Sequence, residues 1–381
     1  MSNNSKYVRR TYRCELLTPM IMSGADQSVT ELRAPSFKGA LRWWWRALNP
    51  TLPGPDGRYT VLRKKEDQLF GGVHGESALK SKVSLSVKWE APESLIASDG
   101  NSESKWVNPG KHNERPDAKD PITYLLFGAY RMGDNQVRTM ILPDGGKAAF
   151  LLSIRCERTV WPSVEPAVQA ALTFGGFGLK HRNGFGQVSY RIADEGGNFT
   201  DEAIDVATFA RRNPNTGQVG YAAFTKHSKL SKLYPSRGAG WRRIIEDAGR
   251  MYMNAKSAID ELTGEGRNHE IGFQTGEKNA FAAFKPGMWS YGVPDPSGDL
   301  GRLDKSIQIF AVRSSGATKY GFLTLPYEVS INGSGLSSTT IRNLGGWKPS
   351  NGKYAFDLRP PQRTRIETID TFFANLRNPT A

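Results

Sequence analysis

The chain has 381 residues, a length at which one hydrophobic core usually divides, so two domains are expected. Lysine and arginine outnumber aspartate and glutamate by 51 to 37, and the net charge of +14 favours a polyanionic partner such as nucleic acid. The sequence has no apolar run long enough to cross a bilayer, no signal-peptide segment in MSNNSKYVRR and only two cysteines, which excludes a disulfide framework and leads us to expect a cytoplasmic protein.

The first half alternates between strand-like and helix-like segments. Four segments have the composition and pattern of strands, and they cover residues 7–17, 82–89, 147–157 and 187–192. Between them, one amphipathic helix is predicted to begin at Pro35 and Ser36 and to end before Asn49, and another to begin at Ser163 and end at Gly175. The order strand, helix, strand, strand, helix, strand is that of a ferredoxin-like or RRM-like unit, whose antiparallel sheet leaves one face uncovered.

The second half has a weaker version of the same pattern. It contains a predicted long helix over 241–262, paired strands over 306–313 and 319–329, and a C-terminal helix over 363–377. We therefore predict an α+β fold of two ferredoxin-like (RRM-like) domains with a glycine-rich loop and long insertions. The predicted domains cover residues 1–195 and 196–381, and the polar stretch at about 91–120 is predicted to be an insertion loop in the first.

The segment LRAPSFKGALRWWWRAL, residues 32–48, divides into distinct faces when it is placed on a helix. Its apolar face is predicted to consist of Phe37, Ala40, Leu41, Trp44 and Leu48. Since three consecutive tryptophans cannot all point the same way, either Trp43 or Trp45 is a candidate for stacking on a base. The alternative is that these tryptophans pack on a neighbouring domain.

The same helix carries a stripe of cations formed by Lys38, Arg42 and Arg46. Cations beside aromatic rings are typical of surfaces that bind single-stranded nucleic acid. Because the stripe lies opposite Leu41 and Leu48, we expect replacement of Arg42 and Arg46 to weaken RNA binding without disturbing the fold. The alternative is a solvated basic face without a ligand.

The second informative segment is GGFGLKHRNGFGQV, residues 175–188. Its five glycines allow the backbone to approach a ligand closely, and Lys180, His181 and Arg182 supply positive charge. It lacks the GK[ST] ending of a P-loop and the third glycine of a dinucleotide fingerprint. The segment is therefore predicted to bind phosphate through a loop of another kind, the alternative being a glycine-rich hairpin turn.

Together these motifs identify a family resemblance. The pattern R-x-P-S-x-K-G-x-L-R-x-W-x-R at 33–46, the LFGG turn at 69–72 and the GGFGLKHRNGFG loop resemble those of the RAMP superfamily of CRISPR proteins. More narrowly, they are similar to the first-numbered RAMP subunit of the type III-B Cmr effector complex, which the opening TPMIMSGAD (18–26) also fits.

This resemblance implies a fold of two ferredoxin-like domains and a function in RNA-guided defence. A protein of this kind caps one end of the complex near the guide 3′ end and helps to capture target RNA. Its implied partners are guide RNA, target RNA and the other RAMP and small subunits of the complex, with no membrane. In the family, cutting is ascribed to another subunit, so no catalytic residue is implied. The binding positions carried over by motif are Lys38, Arg42, Trp43, Arg46, Lys180 and Arg182, and His181 lies between the last two.

Two other functions fit the sequence. RAMP relatives that process guide precursors are metal-independent endoribonucleases, and His181 could act as their general acid or base with Tyr12 or Lys180 as the second group. A protein-interaction scaffold that never contacts RNA would also use exposed tryptophans. We expect neither a cofactor nor a metal ion, because the turn residue Asp26 more often satisfies its own backbone than holds a cation with Glu31.

Overall fold

A computed structural model of the chain combines helices with antiparallel sheets, as the predicted α+β class requires. The structure describes residues 5–26, 29–52, 59–74, 77–90, 96–97, 120–126, 129, 138–143, 148–194, 197–201, 219, 221–238, 240–262, 291–294, 300–302, 307–314, 316–326, 328–329, 362–363, 370 and 372–377. Among the described helices, none has both the length and the apolar character needed to cross a membrane.

Five helices and seventeen strands are described. The helices are α1 (Ala34–Leu48), α2 (Thr60–Phe70), α3 (Pro121–Leu126), α4 (Trp161–Ala170), which continues into a π-helical turn (Ala171–Gly175), and α5 (Trp241–Leu262). The strands of the first half are β1 (Tyr7–Leu16), β2 (Gly72–His74), β3 (Ser77–Leu79), β4 (Ser84–Trp89), β5 (Ile96–Ala97), β6 (Met140–Ile141), β7 (Ala149–Glu157), β8 (Val188–Ala193) and β9 (Phe199–Asp201). Those of the second half are β10 (Lys229–Leu230), β11 (Tyr234–Pro235), β12 (Tyr291–Pro294), β13 (Leu300–Arg302), β14 (Ile307–Ser314), β15 (Ala317–Thr324), β16 (Glu328–Val329) and β17 (Gln362–Arg363).

The first sheet is built from the four strands predicted in the first half and from β9, which was not predicted. Its order is β4-β7-β1-β8-β9, and every neighbouring pair is antiparallel. Tyr12 at the centre of β1 lies opposite Leu152 of β7 and Ile192 of β8, so the three side chains share one face. The first hydrophobic core forms on that face with α1 and α4. Cys14 and Cys156 belong to this core as buried free thiols, as the sequence indicates, and burial raises the pKa of Cys14.

In the first half, the start of one helix and the presence of another differ from the sequence-based expectation. Helix α4 begins at Trp161 instead of Ser163, because Pro162 occupies the first turn, where the missing N–H of proline is harmless. Helix α2 was not predicted, since its sequence TVLRKKEDQLF has few apolar residues. Its buried residues include Glu66 and Asp67, which a pattern of hydrophobicity cannot detect.

The second half forms a smaller sheet. Strand β15 pairs with β10, β11 and β14, and helix α5 covers it through Ile244 and Ile245. Strand β15 ends at Thr324, before the predicted end at 329. Residues 328–329 form the separate strand β16, which pairs with β17. The predicted helix over 363–377 is wrong at its start, because Arg363 lies in β17 and this pairing overrides local helix propensity. Only residues 370 and 372–374 of that segment are helical in the described part.

The predicted insertion loop at about 91–120 lies outside the described residues, except for Ile96–Ala97 and Asp120. Strand β5 pairs there with β6. The predicted domain boundary near residue 195 also lies outside them. The division into domains over 1–195 and 196–381 therefore stays a prediction.

Candidate nucleic-acid interface

Helix α1 buries the apolar face predicted from its sequence. Phe37, Leu41 and Trp44 are at most 1% exposed, Leu48 is 9% exposed, and Ala40 is half-buried. Trp44 packs between the rings of Phe174 and Phe224, whose centroids lie 5.9 and 6.2 Å away. The helix is therefore anchored in the first core along its whole length.

The three tryptophans of α1 point in different directions. Trp44 is buried in the first core, and Trp45 is 5% exposed because Phe70 of α2 covers it, with a centroid distance of 6.5 Å. Trp43 is half-buried and meets Trp44 edge to face at 4.9 Å. Of the two stacking candidates, Trp43 alone keeps substantial exposed surface.

The arginines of the predicted stripe are paired with carboxylates of α2. Arg42 donates from Nε to Glu66 Oε1 at 2.5 Å, from Nη2 to Asp67 Oδ1 at 2.9 Å and from Nη1 to the Gly71 carbonyl at 3.0 Å. Arg46 Nη1 donates to both oxygens of Glu66, at 2.8 and 2.9 Å. These contacts hold α2 and the LFGG turn against α1.

The pairing corrects the expectation that Arg42 and Arg46 can be replaced without disturbing the fold. The side chains of Glu66 and Asp67 are only 5% and 4% exposed. A buried carboxylate that loses its cation keeps the cost of desolvation without the compensating attraction. Arg42 and Arg46 are therefore structural residues, whatever they do for RNA.

Lys38 differs from the two arginines. Within the described part of the chain it forms no hydrogen bond or ion pair. Burial, and next the charge of Arg42, lower the pKa of Lys38 below its usual value. The negative charge of a phosphate beside Lys38 would favour its protonated form and so oppose both effects.

The glycine-rich loop has a backbone that other residues could not adopt. Gly178 and Gly186 have φ angles of 91° and 64°, in the left-handed region that favours glycine. A Cβ at Gly186 would lie 1.9 Å from the carbonyl oxygen of Phe177. Lys180 has a φ of 61°, which is uncommon for a side chain of its kind.

His181 braces this loop. Its Nδ1 lies 2.8 Å from the Gly178 carbonyl, and since a carbonyl can only accept, Nδ1 is the donor. Gln187 Nε2 in turn donates to the His181 carbonyl at 3.1 Å. His181 is thus tied to the fold of the loop through both its ring and its backbone.

The structure brings the loop and α1 into contact. The ring of Phe177 lies 4.3 Å from that of Phe37, and the Arg182 guanidinium lies over the ring of Trp43 at 4.9 Å. Gly175 abuts the indole of Trp44 so closely that a Cβ there would lie 2.3 Å from Nε1. Two motifs that are far apart in the sequence therefore form one surface.

The loop also joins the two halves of the chain. The Ile309 N–H of β14 donates to the Arg182 carbonyl at 3.0 Å, while within the first half Asn183 Nδ2 donates to the Leu125 carbonyl of α3 at 2.5 Å. Phe177 belongs to the first core, and Phe185 belongs to a second core in which Leu125 of the first half packs with residues of α5, β14 and β15. The surface formed by α1 and the loop therefore lies at the junction of the two halves.

One cluster of charges was missed by the sequence analysis. Glu15 in β1 is bound by Arg13, by Arg191 Nη2 at 3.1 Å and by Arg313 Nη1 at 3.0 Å. Burial opposes ionisation of Glu15, but the arginines, Arg13 first, outweigh it and hold its pKa below the usual value. The run RRTYRCE in β1 is a signal for charged residues on a strand, but Arg313 joins only through the fold.

Comparison with known proteins finds similar sequences. A model of the RAMP superfamily matches residues 13–189. The Pyrococcus furiosus protein named CRISPR system Cmr subunit Cmr1-1 is 27% identical over 158 residues, which are 42% of this chain and 40% of that protein. Cmr subunit Cmr1-2 of the same organism is 24% identical over 189 residues, 48% of this chain and 94% of that protein.

The similarity extends to a solved structure. The apo crystal structure of Cmr1 from Pyrococcus furiosus aligns with a TM-score of 0.52 over 86% of this chain and 91% of that one, at 16% sequence identity. The two proteins therefore share a fold, although the sequence match spans 40% of the length of the first curated relative. The matched residues include β1, α1 and the glycine-rich loop, and the resemblance to the RAMP superfamily that these motifs predicted is confirmed over residues 13–189.

Proposed function

We propose that this protein is a non-catalytic, RNA-binding subunit of a type III-B CRISPR effector complex. In this proposal it caps the guide 3′ end, helps to capture target RNA, and works alongside the other RAMP and small subunits. We also infer that residues 1–195 and 196–381 are two ferredoxin-like domains. The similarity to the two Cmr subunits supports this assignment.

The observation that carries the proposal is the stack of Arg182 on Trp43. It places a guanidinium plane and an indole ring side by side at the junction of α1 and the glycine-rich loop. Such surfaces stack on bases of any identity, while neighbouring cations hold the phosphates. The proposed RNA surface consists of Lys38, Trp43, Arg46, Lys180, His181 and Arg182. Arg42 supports this surface by binding α1 to α2 and to the LFGG turn.

The charge available for RNA is unevenly divided over this surface. The two positive charges of Arg42 and Arg46 face the two negative charges of Glu66 and Asp67. Arg42 and Arg46 therefore add little net charge to the surface, and Lys38, Lys180 and Arg182 are the further cations that we propose for the phosphate chain. The N–H groups of Gly184 and Gly186 already donate to the carbonyls of His181 and Pro19, so the phosphate contacts proposed for the loop come from its cations.

We expect the variant Lys38→Ala with Lys180→Asn to bind single-stranded RNA more weakly and with less dependence on salt. Asparagine is chosen at position 180 because it tolerates the left-handed backbone there. Losing two phosphate contacts should flatten the slope of log affinity against log salt by about 1.4. Fluorescence anisotropy with a labelled RNA over a series of salt concentrations measures both quantities.

A matched control is Lys226→Ala with Arg250→Ala, which removes the same charge from exposed positions of the second half. If the control and the test variant behave alike, the attraction is a property of the net charge and the proposed surface is wrong. Wild-type binding that is absent or independent of salt would favour the scaffold function instead.

The endoribonuclease alternative loses one of its candidate groups. Tyr12 is 1% exposed and faces the ring of Tyr190 inside the first core, so it cannot reach a substrate. Lys180 remains beside His181 in the loop. The alternative therefore depends on these two residues.

For His181→Ala we expect no change in RNA integrity and a loss of affinity of threefold or less, on the order of the effect of one neutral hydrogen bond. Guide-precursor and target RNA are incubated with each protein without added metal, and the products are separated on a denaturing gel. A cleavage product made by the wild type and by Lys226→Ala with Arg250→Ala, and reduced about a hundredfold in His181→Ala, would establish the enzyme instead.

A further inference from the structure

The first sheet has a second face, on the side opposite α1 and α4. Because side chains alternate along a strand, the residues between the core positions of β1, β4 and β7 point to this side. We call it the open face and define it by Arg9, Thr11, Ser86, Lys88, Ser153 and Arg155. Its composition of cations and hydroxyl groups is that of a surface for phosphate oxygens.

The open face carries a pair of like charges directly opposite each other. Arg9 of β1 and Arg155 of β7 are cross-strand partners, and both are exposed. Like charges at such positions repel and destabilise a sheet. Lys88 is also exposed and lies on the neighbouring strand β4. It is two residues after Ser86, which is the cross-strand partner of Ser153.

The same sheet contains a second cross-strand pair of arginines, and a carboxylate neutralises that pair. Arg13 and Arg191 are also cross-strand partners, and Glu15 lies between them and binds both. No carboxylate among the described residues binds Arg9 or Arg155. Arg9 instead donates to Ser153 Oγ at 3.4 Å, and Arg155 lies over the ring of Tyr7. An anionic ligand beside Arg9 and Arg155 would therefore offset their repulsion.

Acidic groups near the open face are already neutralised. Glu157 is bound by Lys6 at 3.1 Å, and Glu90 is bound by Arg13 at 2.6 Å. The charges of Arg9, Lys88 and Arg155 are consequently left to act on the solvent side. Such a surface attracts a polyanion, because no unpaired carboxylate of the described residues opposes its three cations.

An aromatic ring stands beside these cations. Tyr7 is 41% exposed, and the Arg155 guanidinium lies 4.3 Å from its ring centroid. Thr11 and Ser153 are joined by a hydrogen bond of 2.9 Å between their hydroxyl oxygens, which places two small polar groups between the cations. A cation stacked on an aromatic ring, next to hydroxyl groups, fits a nucleotide chain better than it fits a peptide.

We propose that the open face is a second RNA site, which binds the sugar and phosphate backbone of a single strand through Arg9, Lys88 and Arg155 while Tyr7 stacks on a base. This site goes beyond the proposed function, because it lies on the other side of the sheet from α1. It gives the protein two separate contacts with RNA.

The test is Arg9→Ala with Arg155→Ala in the full chain, measured against a single-stranded RNA of about fifteen nucleotides that is long enough for several contacts. We expect affinity to fall about tenfold at low salt and the salt slope to flatten by about 1.4. The midpoint of thermal unfolding should stay the same or rise, because a repulsive pair is removed. Lys226→Ala with Arg250→Ala is the matched control, with unchanged binding expected.

The outcome separates this site from the first one. Suppose that RNA affinity falls in Lys38→Ala with Lys180→Asn, while Arg9→Ala with Arg155→Ala keeps the wild-type affinity and salt slope. This result overturns the second site and leaves the first. Loss in the open-face variant alone supports the second site and overturns the first. If the open-face variant binds RNA normally but no longer co-purifies with the other subunits, the face binds protein and the proposal is wrong. Loss in both supports two sites, and their effects on log affinity should then add in the combined variant.

Discussion

The variant Arg42→Ala is expected to lower the free energy of unfolding by about 3 kcal/mol, since it removes the shared cation of two buried carboxylates. Glu66 and Asp67 keep their other partners, Arg46 and the more distant Arg63 at 3.8 Å, so the loss should be at the lower end for a broken buried ion pair. Arg42 also holds the Gly71 carbonyl, and the LFGG turn should loosen with it.

Urea unfolding followed by circular dichroism measures the loss. Lys38→Ala is the matched control, because it removes a cation from the same helix without removing an ion pair. Adding Glu66→Gln and Asp67→Asn to Arg42→Ala should recover part of the stability, since neutral amides tolerate the loss of the cation. Equal stability of Arg42→Ala and the wild type would show that these carboxylates are not held as the structure indicates.

Trp44→Ala is expected to have a larger effect, a loss of about 3 to 5 kcal/mol. Trp44 is 1% exposed and fills the space between Phe174, Phe224 and Gly175. Because Gly175 begins the glycine-rich segment, the cavity should also release the loop from α1. The same urea experiment measures it, and increased proteolysis within residues 175–188 reports on the loop.

Trp43→Ala provides the comparison for this change. It removes an equally large side chain from the next position of α1, but one that is only half-buried. Its effect on stability should be clearly smaller, while its effect on RNA affinity should be the larger of the two once stability is taken into account. The opposite ranking of stabilities would mean that the faces of α1 are wrongly assigned.

Much of the fold followed from local pattern. The period of apolar residues in α1, and the strand-like composition of β1 and β7, identified elements that the structure places within a few residues of the expectation. Helix α5 was placed at its observed bounds for the same reason. These elements bury one face against a core, and burial of one face leaves a periodic trace in the sequence.

Elements that form only because of partners distant in the sequence show no periodic pattern of apolar residues. Helix α2 buries carboxylates because Arg42 and Arg46 of another helix meet them, and β17 forms because β16 pairs with it. Neither partner is near in the sequence.

The sequence by itself predicted a polyanionic partner, through its charge, and it contains the three motifs that resemble the RAMP superfamily. Only the tertiary structure decided which of their cations meet a buried carboxylate. The physical reason is that an arginine stripe has the same helical spacing whether it faces solvent or a buried carboxylate. Arg42 and Arg46 meet Glu66 across a helix packing, Arg182 meets Trp43 across the loop, and Arg9 meets Arg155 across a sheet, so the role of each cation depends on a partner that only folding brings near.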